Sequence, residues 1–281
     1  LFVVRVINTS TSGGTALNAT VANTGPASTV VKNDDDYDDN YSTGISGVGA
    51  WVAKYPGELG NSLKVSVCPS SNAFESTLTG NITVTDGSVT VTGVTTEANG
   101  AGTSATAFSS ELTVGDILLL GPDKQARKVK AIANNSSLTL ESKYLGNTVS
   151  AFSGAATHNG SVATPTRRWE YFSNVDRAPT TSDFANTAGG SGDELHIVIA
   201  DEDGEWTGTK NTVLETFENL SVASDAKNED GSVNYYKEVI NQQSRYIYWA
   251  AHDFKTNAGN KASGTTYSGD PKPATFSLIN G

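Results

Sequence analysis

Cysteine is almost absent from this sequence: Cys68 stands alone, which excludes an intrachain disulfide and any zinc site built on cysteine pairs. Long apolar runs are missing too. No stretch approaches the roughly 20 residues that a membrane-crossing helix needs, and no basic segment precedes the apolar start, so neither membrane insertion nor a signal peptide is expected. Positive charge is scarce: 19 Lys and Arg against 30 Asp and Glu leave a formal net charge of −11. Affinity for a phosphate backbone comes largely from basic side chains that displace counterions. No basic stripe offsets the deficit, so no nucleic-acid partner is expected. Motifs for chemistry are missing as well. There is no GxSxG elbow, no GxGxxG turn and no P-loop, and His158, His196 and His252 are far apart, without HxH or HExxH spacing. No catalytic residue and no cofactor is expected, and the chain does not read as an enzyme.

What is present favours strands. Charged residues make up 17% of the 281 positions and hydrophobic ones 37%, and Ser, Thr, Asn and Gly (28 Gly) dominate the rest. That mixture suits strands and turns better than long helices. The length allows two domains. Phe2 to Ile7 reads as a buried strand, followed to residue 46 by a polar stretch expected to be irregular. "GVGAWVAKYPGELGNSLKVSVC" predicts a tight turn at Pro56 and Gly57, then a strand with Leu63, Val65 and Val67 on one face and Ser62, Lys64 and Ser66 on the other. From residue 69 to 165 short strand signals recur without a tryptophan, including a hairpin at Asp86 and Gly87. This predicts an antiparallel β-barrel or sandwich. Beyond Pro165, "RRWEYFSNV", "ELHIVIAD", "NTVLETFENLS" and "RYIYWAAHDF" read as strands and "PTTSDFANTAGGSGD" as a loop. "SVNYYKEVINQQS" carries Val233, Tyr236, Val239 and Ile240 at helical spacing. The predicted fold class is α+β: a two-layer sheet-and-helix sandwich from residues 1–68 and 166–281, with an all-β domain inserted at 69–165.

Two acidic stretches and one cysteine invite a functional reading. "DEDGE" places Asp201, Glu202, Asp203 and Glu205 around Gly204. It lacks the ligand spacing of a calcium loop, and adjacent carboxylates at a solvent-facing turn diverge rather than converge on a pocket. A solvated hairpin tip is expected, so replacing Asp201 and Asp203 by Asn should change little. "DDDYDDN" has the higher charge density, making Asp34, Asp35, Asp36, Asp38 and Asp39 the candidate cation ligands. Such runs in Ser/Gly/Asn-rich surroundings are more often solvated loops. His196 alternates with Leu195 and Ile197 in a strand, and Cys68 closes another; packing suits both. "GGSGD" opens a strand and offers no helix N-terminus to hold phosphate.

Four stretches, in order, carry a resemblance: "FVVRV", "WVAKYPGELGNSLKVSV", "DELHIVIADEDGEWTGTKNTVLETFENLS" and "YYKEVINQQSRYIY". Together they resemble the tail sheath proteins of contractile-tailed bacteriophages, with "YPGELGN" the sharpest match. The terminal "FSLING" is similar to the start of a further sheath segment. The resemblance covers residues 1–8, 50–68 and 168–281. The inserted module matches no particular sheath, but such insertions decorate the outer tail face of larger members, and this long Ser/Thr/Asn-rich one suggests a large phage, such as a giant phage of the phiKZ type. The resemblance implies a structural subunit that polymerises helically around a tail tube and contracts to drive the tube through the host envelope for genome ejection. Location would be the virion, with assembly in the host cytoplasm. Partners would be other sheath subunits, with tube protein and baseplate contacted through the N-terminal arm and C-terminal domain. This chain starts without Met inside a strand-like run and stops inside "FSLING", as expected of a fragment lacking both, which should be monomeric. Pro56, Gly57, Gly60, Gly204 and Gly208 are then shape residues at turns. Two alternatives stay open: a surface β-rich adhesin or carbohydrate-binding module, and a hydrolase using the carboxylates.

Overall fold

The computed structural model describes residues 18–21, 30–94, 105–149 and 165–281; the expected opening strand Phe2 to Ile7, and His158, lie outside them. The described residues form a mixed α+β fold with mostly antiparallel sheets. The chain divides into two compact units, Leu1–Val67 with Thr181–Ser268 and Thr275–Gly281, and Cys68–Thr180 with Gly269–Ala274.

In the first unit a four-stranded sheet has the order Thr212–Ser221, Glu194–Asp201, Leu63–Cys68, Ala274–Ser277. The first two strands run antiparallel from Glu194 opposite Ser221 to Asp201 opposite Thr212. Both central strands are buried along their whole length. This corrects the expected alternation in "SLKVSV", since Ser62, Lys64 and Ser66 are also buried. Polar groups inside must find partners: Lys64 Nζ donates to Asn211 Oδ1 at 3.1 Å, and the Ser66 and Thr275 hydroxyls share a bond of 3.3 Å. A central strand covered on both faces loses its half-polar pattern to burial.

A second sheet orders Asn18–Thr20, Trp51–Pro56 and Ile247–Trp249. Helix Tyr236–Gln243 buries Tyr236, Val239 and Ile240. Val233 lies outside this helix and is 40% exposed, so the apolar spacing overran the helix start. Two further helices replace predicted loops. Asp34–Asn40 is capped by Asn33, whose side chain accepts from Asp36 N at 2.8 Å, while Lys32 N donates back to Asp36 Oδ2 at 2.9 Å. Three aspartates in its first turn complement the helix dipole, and Tyr37 anchors it by stacking on Tyr248 at 4.4 Å. Asp183–Thr187 is capped by Ser182 in the same way.

The second unit holds a seven-stranded sheet in the order Glu75–Thr77, Thr166–Arg168, Ile117–Leu120, Gln125–Asn134, Ser137–Leu140, Thr90–Gly93, Ile82–Val84. Each pairing is antiparallel. The sheet does not close into a barrel, which corrects that part of the expectation. Leu118, Leu120, Val129, Leu138 and Leu140 alternate inward to form its core with Phe108. "RRWEYFSNV" is not one long strand: three residues pair, and a single helical turn follows at Phe172–Asn174. Arg167 within that strand is fully buried, its guanidinium donating to the Ala73, Asn72 and Pro271 carbonyls and to Ser76 Oγ.

Candidate functional site

The acidic tip between Asp201 and Thr212 is the point where "YPGELGN", "DEDGEWTG" and "SRYIY" meet. Asp201 ends the fully buried strand and is itself inaccessible to solvent. Its carboxylate accepts five hydrogen bonds: from Ser62 Oγ at 2.7 Å, Gly204 N at 3.0 Å, Trp206 N at 3.0 Å, Thr207 N at 2.8 Å and Thr207 Oγ1 at 2.8 Å. Burial works against the charge, but the Ser62 and Thr207 hydroxyls and the Thr207 and Trp206 amides outweigh it and hold the carboxyl below the usual carboxylate range. A carboxylate so fully engaged has no free lone pair to take a substrate proton. For Asp201 the expected solvated tip is therefore corrected: it organises the loop from inside, while Asp203 and Glu205 face solvent and Glu202 is half-buried, accepting from Ser277 Oγ at 3.0 Å.

Ser62, immediately after "YPGELGN", is the reciprocal partner. Its carbonyl accepts from Glu202 N at 2.6 Å, and its hydroxyl oxygen also accepts from Asp203 N at 3.2 Å and Glu205 N at 3.3 Å. Trp206 completes the junction. The indole Nε1 donates to Leu59 O at 2.9 Å, and the ring meets Tyr55 and Tyr246 edge to face, each with centroids 4.9 Å away. The "SRYIY" motif is tied down separately, because Glu215 accepts from Ser244 Oγ at 2.7 Å and Arg245 N at 2.9 Å.

The turn residues fall within or beside this junction. Gly57 (φ 77°), Gly204 (φ 88°) and Gly208 (φ 80°) occupy left-handed backbone, where a side chain is strained. Pro56 ends its strand. Gly60 is different: a Cβ there would lie 2.3 Å from Tyr55 O and 3.0 Å from Ala19 Cβ. Gly60→Ala is expected to lower stability by about 1–3 kcal/mol, the cost of overpacking, measured by urea unfolding.

The other sequence candidates lie apart from this junction or do not converge. Asp34 accepts from Tyr248 OH at 2.7 Å and pairs with Lys54 at 3.3 Å; the tyrosine bond, with Lys54 and against partial burial, lowers its pKa. Asp36 takes Asn40 Nδ2 at 2.9 Å, and Asp35, Asp38 and Asp39 are exposed on the helix. Among the described residues no three His, Cys, Asp or Glu gather as a metal site would require. His196 is buried, with Nδ1 accepting from Asn219 N at 2.9 Å. His252 bonds Tyr236 OH, which also accepts from Trp249 Nε1 at 2.9 Å; burial and the charge of Lys237 push its pKa down to about 4. Cys68 is buried. Sequence reasoning missed Ser62 and Trp206; the polar residue flanking a glycine turn and the aromatic at the acidic tip were the available signals.

No match to the chain is found among protein families, curated proteins or solved structures.

Proposed function

We propose that the chain is part of a contractile tail sheath subunit of a bacteriophage, a structural polymer rather than an enzyme. The observation that carries the reading is the junction itself. The stretches that resemble sheath proteins, "YPGELGN", "DEDGEWTG" and "SRYIY", lie apart in sequence yet meet at one node, where Asp201 bonds Ser62 and Trp206 bonds Leu59 O and packs against Tyr55 and Tyr246. Its polar atoms are engaged in holding loops together, which suits a block that must move rigidly between two sets of subunit contacts. In this reading residues 1–68 and 166–281 are the two-layer sheath domain. The residues from 69 to 165, within the unit Cys68–Thr180 and Gly269–Ala274, are an insertion carried on the outer tail face.

The test is expression of the complete reading frame containing this chain, viewed by negative-stain electron microscopy. Hollow, cross-striated tubes are expected there, and a monomer by light scattering for the chain alone. A reading frame whose product stays dispersed and binds glycans on an array would overturn the proposal in favour of an adhesin.

A further inference from the structure

The junction presents an aromatic surface with two exposed, unpaired carboxylates next to it in sequence, Glu58 and Glu205. Tyr55 is 41% exposed, the only aromatic among the exposed large hydrophobic side chains of the described residues, and it leads into the half-buried rings of Trp206 and Tyr246. The indole is held in place by Leu59 O and by the loop that Asp201 organises, so the surface is preformed. Glu58 and Glu205, sequence neighbours of Leu59 and Trp206, are exposed and carry no ion pair among the described residues. Asp203 is neutralised by Lys210 at 3.2 Å, and Arg245 precedes the far ring, Tyr246.

We infer that the Tyr55–Trp206–Tyr246 surface docks an arginine-bearing segment of a partner protein. A planar guanidinium can lie on an aromatic face while its N–H groups reach carboxylates on either side. Charge complementarity selects this occupant. The chain carries a net charge of −11, which disfavours a second acidic copy, and two exposed, unpaired carboxylates next in sequence to Leu59 and Trp206 favour a cation over a neutral sugar. The inference does not depend on the sheath reading.

The probe is a capped hexa-arginine peptide, titrated against the whole chain while tryptophan fluorescence is followed. Trp51, Trp169 and Trp249 are at most 4% exposed, so the change reports on Trp206. Saturable quenching is expected. Glu58→Gln with Glu205→Gln should weaken binding about five-fold, the sum of two exposed charge contacts, and Tyr55→Ala should weaken it with thermal unfolding little changed. Asp38→Asn with Asp39→Asn removes the same charge from the exposed helix and should leave affinity within about two-fold. Equal weakening by both charge pairs, absence of saturable quenching, or equally tight binding of a neutral glucose hexasaccharide would overturn the inference.

Discussion

Asp201→Ala is expected to lower the free energy of unfolding by about 3–5 kcal/mol, the range for removing one partner of a buried, charge-assisted network. The five donors that converge on this carboxylate are the reason. Truncation leaves the Gly204, Trp206 and Thr207 amides and the Ser62 and Thr207 hydroxyls facing a void that only water could fill. Asp201→Asn should also destabilise. Its amide must turn one N–H₂ group toward donors, because Oδ1 accepts from two of them and Oδ2 from three. Asp203→Asn, on the exposed side of the same loop, where the carboxylate makes the surface pair with Lys210, should stay within about 0.5 kcal/mol. Urea unfolding of the three variants measures these differences. Loop order has its own readout, since losing the Trp206 N bond to Asp201 should loosen the indole and raise its quenching by acrylamide. Three near-neutral variants would show that the tip is the solvated turn its sequence suggests.

The acidic tip marks the reach of local signals. The period of two in "LHIVIA" and the turn-forming "DEDGE" are local signals, and local signals place the hairpin from Glu194 to Ser221 correctly. They cannot reveal that Asp201 faces Ser62, 139 residues away in sequence. The same distinction separates the other outcomes. Leu118, Leu120, Leu138 and Leu140 alternate as expected and form the core of their sheet, whereas closure into a barrel depends on pairing of the edge strands, which composition does not encode. "DDDYDDN" looked like a solvated run because its acids dominate the composition. Its helicity rests on a cap at Asn33 and one buried ring, Tyr37, whose hydroxyl donates to Trp249 O at 2.7 Å. In "SLKVSV" the polar positions 62, 64 and 66 read as solvent-facing until both faces of the strand are covered.

Asp116→Asn is expected to change the pH dependence of stability more than stability at any single acidic pH. Asp116 is 2% exposed, and burial, with the charge of Glu170, pushes its pKa up to about 7, against the opposing pull of Arg167, the Thr113 N–H bond and Lys272. Arg167 does not cancel the burial penalty, because its guanidinium N–H groups go to carbonyls and to Ser76 Oγ. The sign follows from linkage. The folded carboxyl keeps its proton to about pH 7 while the unfolded one releases it near its ordinary value of 3.8. The stabilising contribution is therefore fully present below the unfolded value, falls as pH rises between the two, and is gone above the folded one. A gap of about three units corresponds to about 4 kcal/mol at most. The asparagine mimics the protonated acid and can still accept from Thr113 N, which lies 2.8 Å from Asp116 Oδ2. The stability of Asp116→Asn relative to the parent should thus climb by about 3–4 kcal/mol from pH 4 to pH 8 and level off beyond. Urea unfolding across that series measures the difference, in which the other carboxylates and the histidines cancel. A difference that stays constant with pH would mean that Asp116 ionises normally and that Arg167 neutralises it after all.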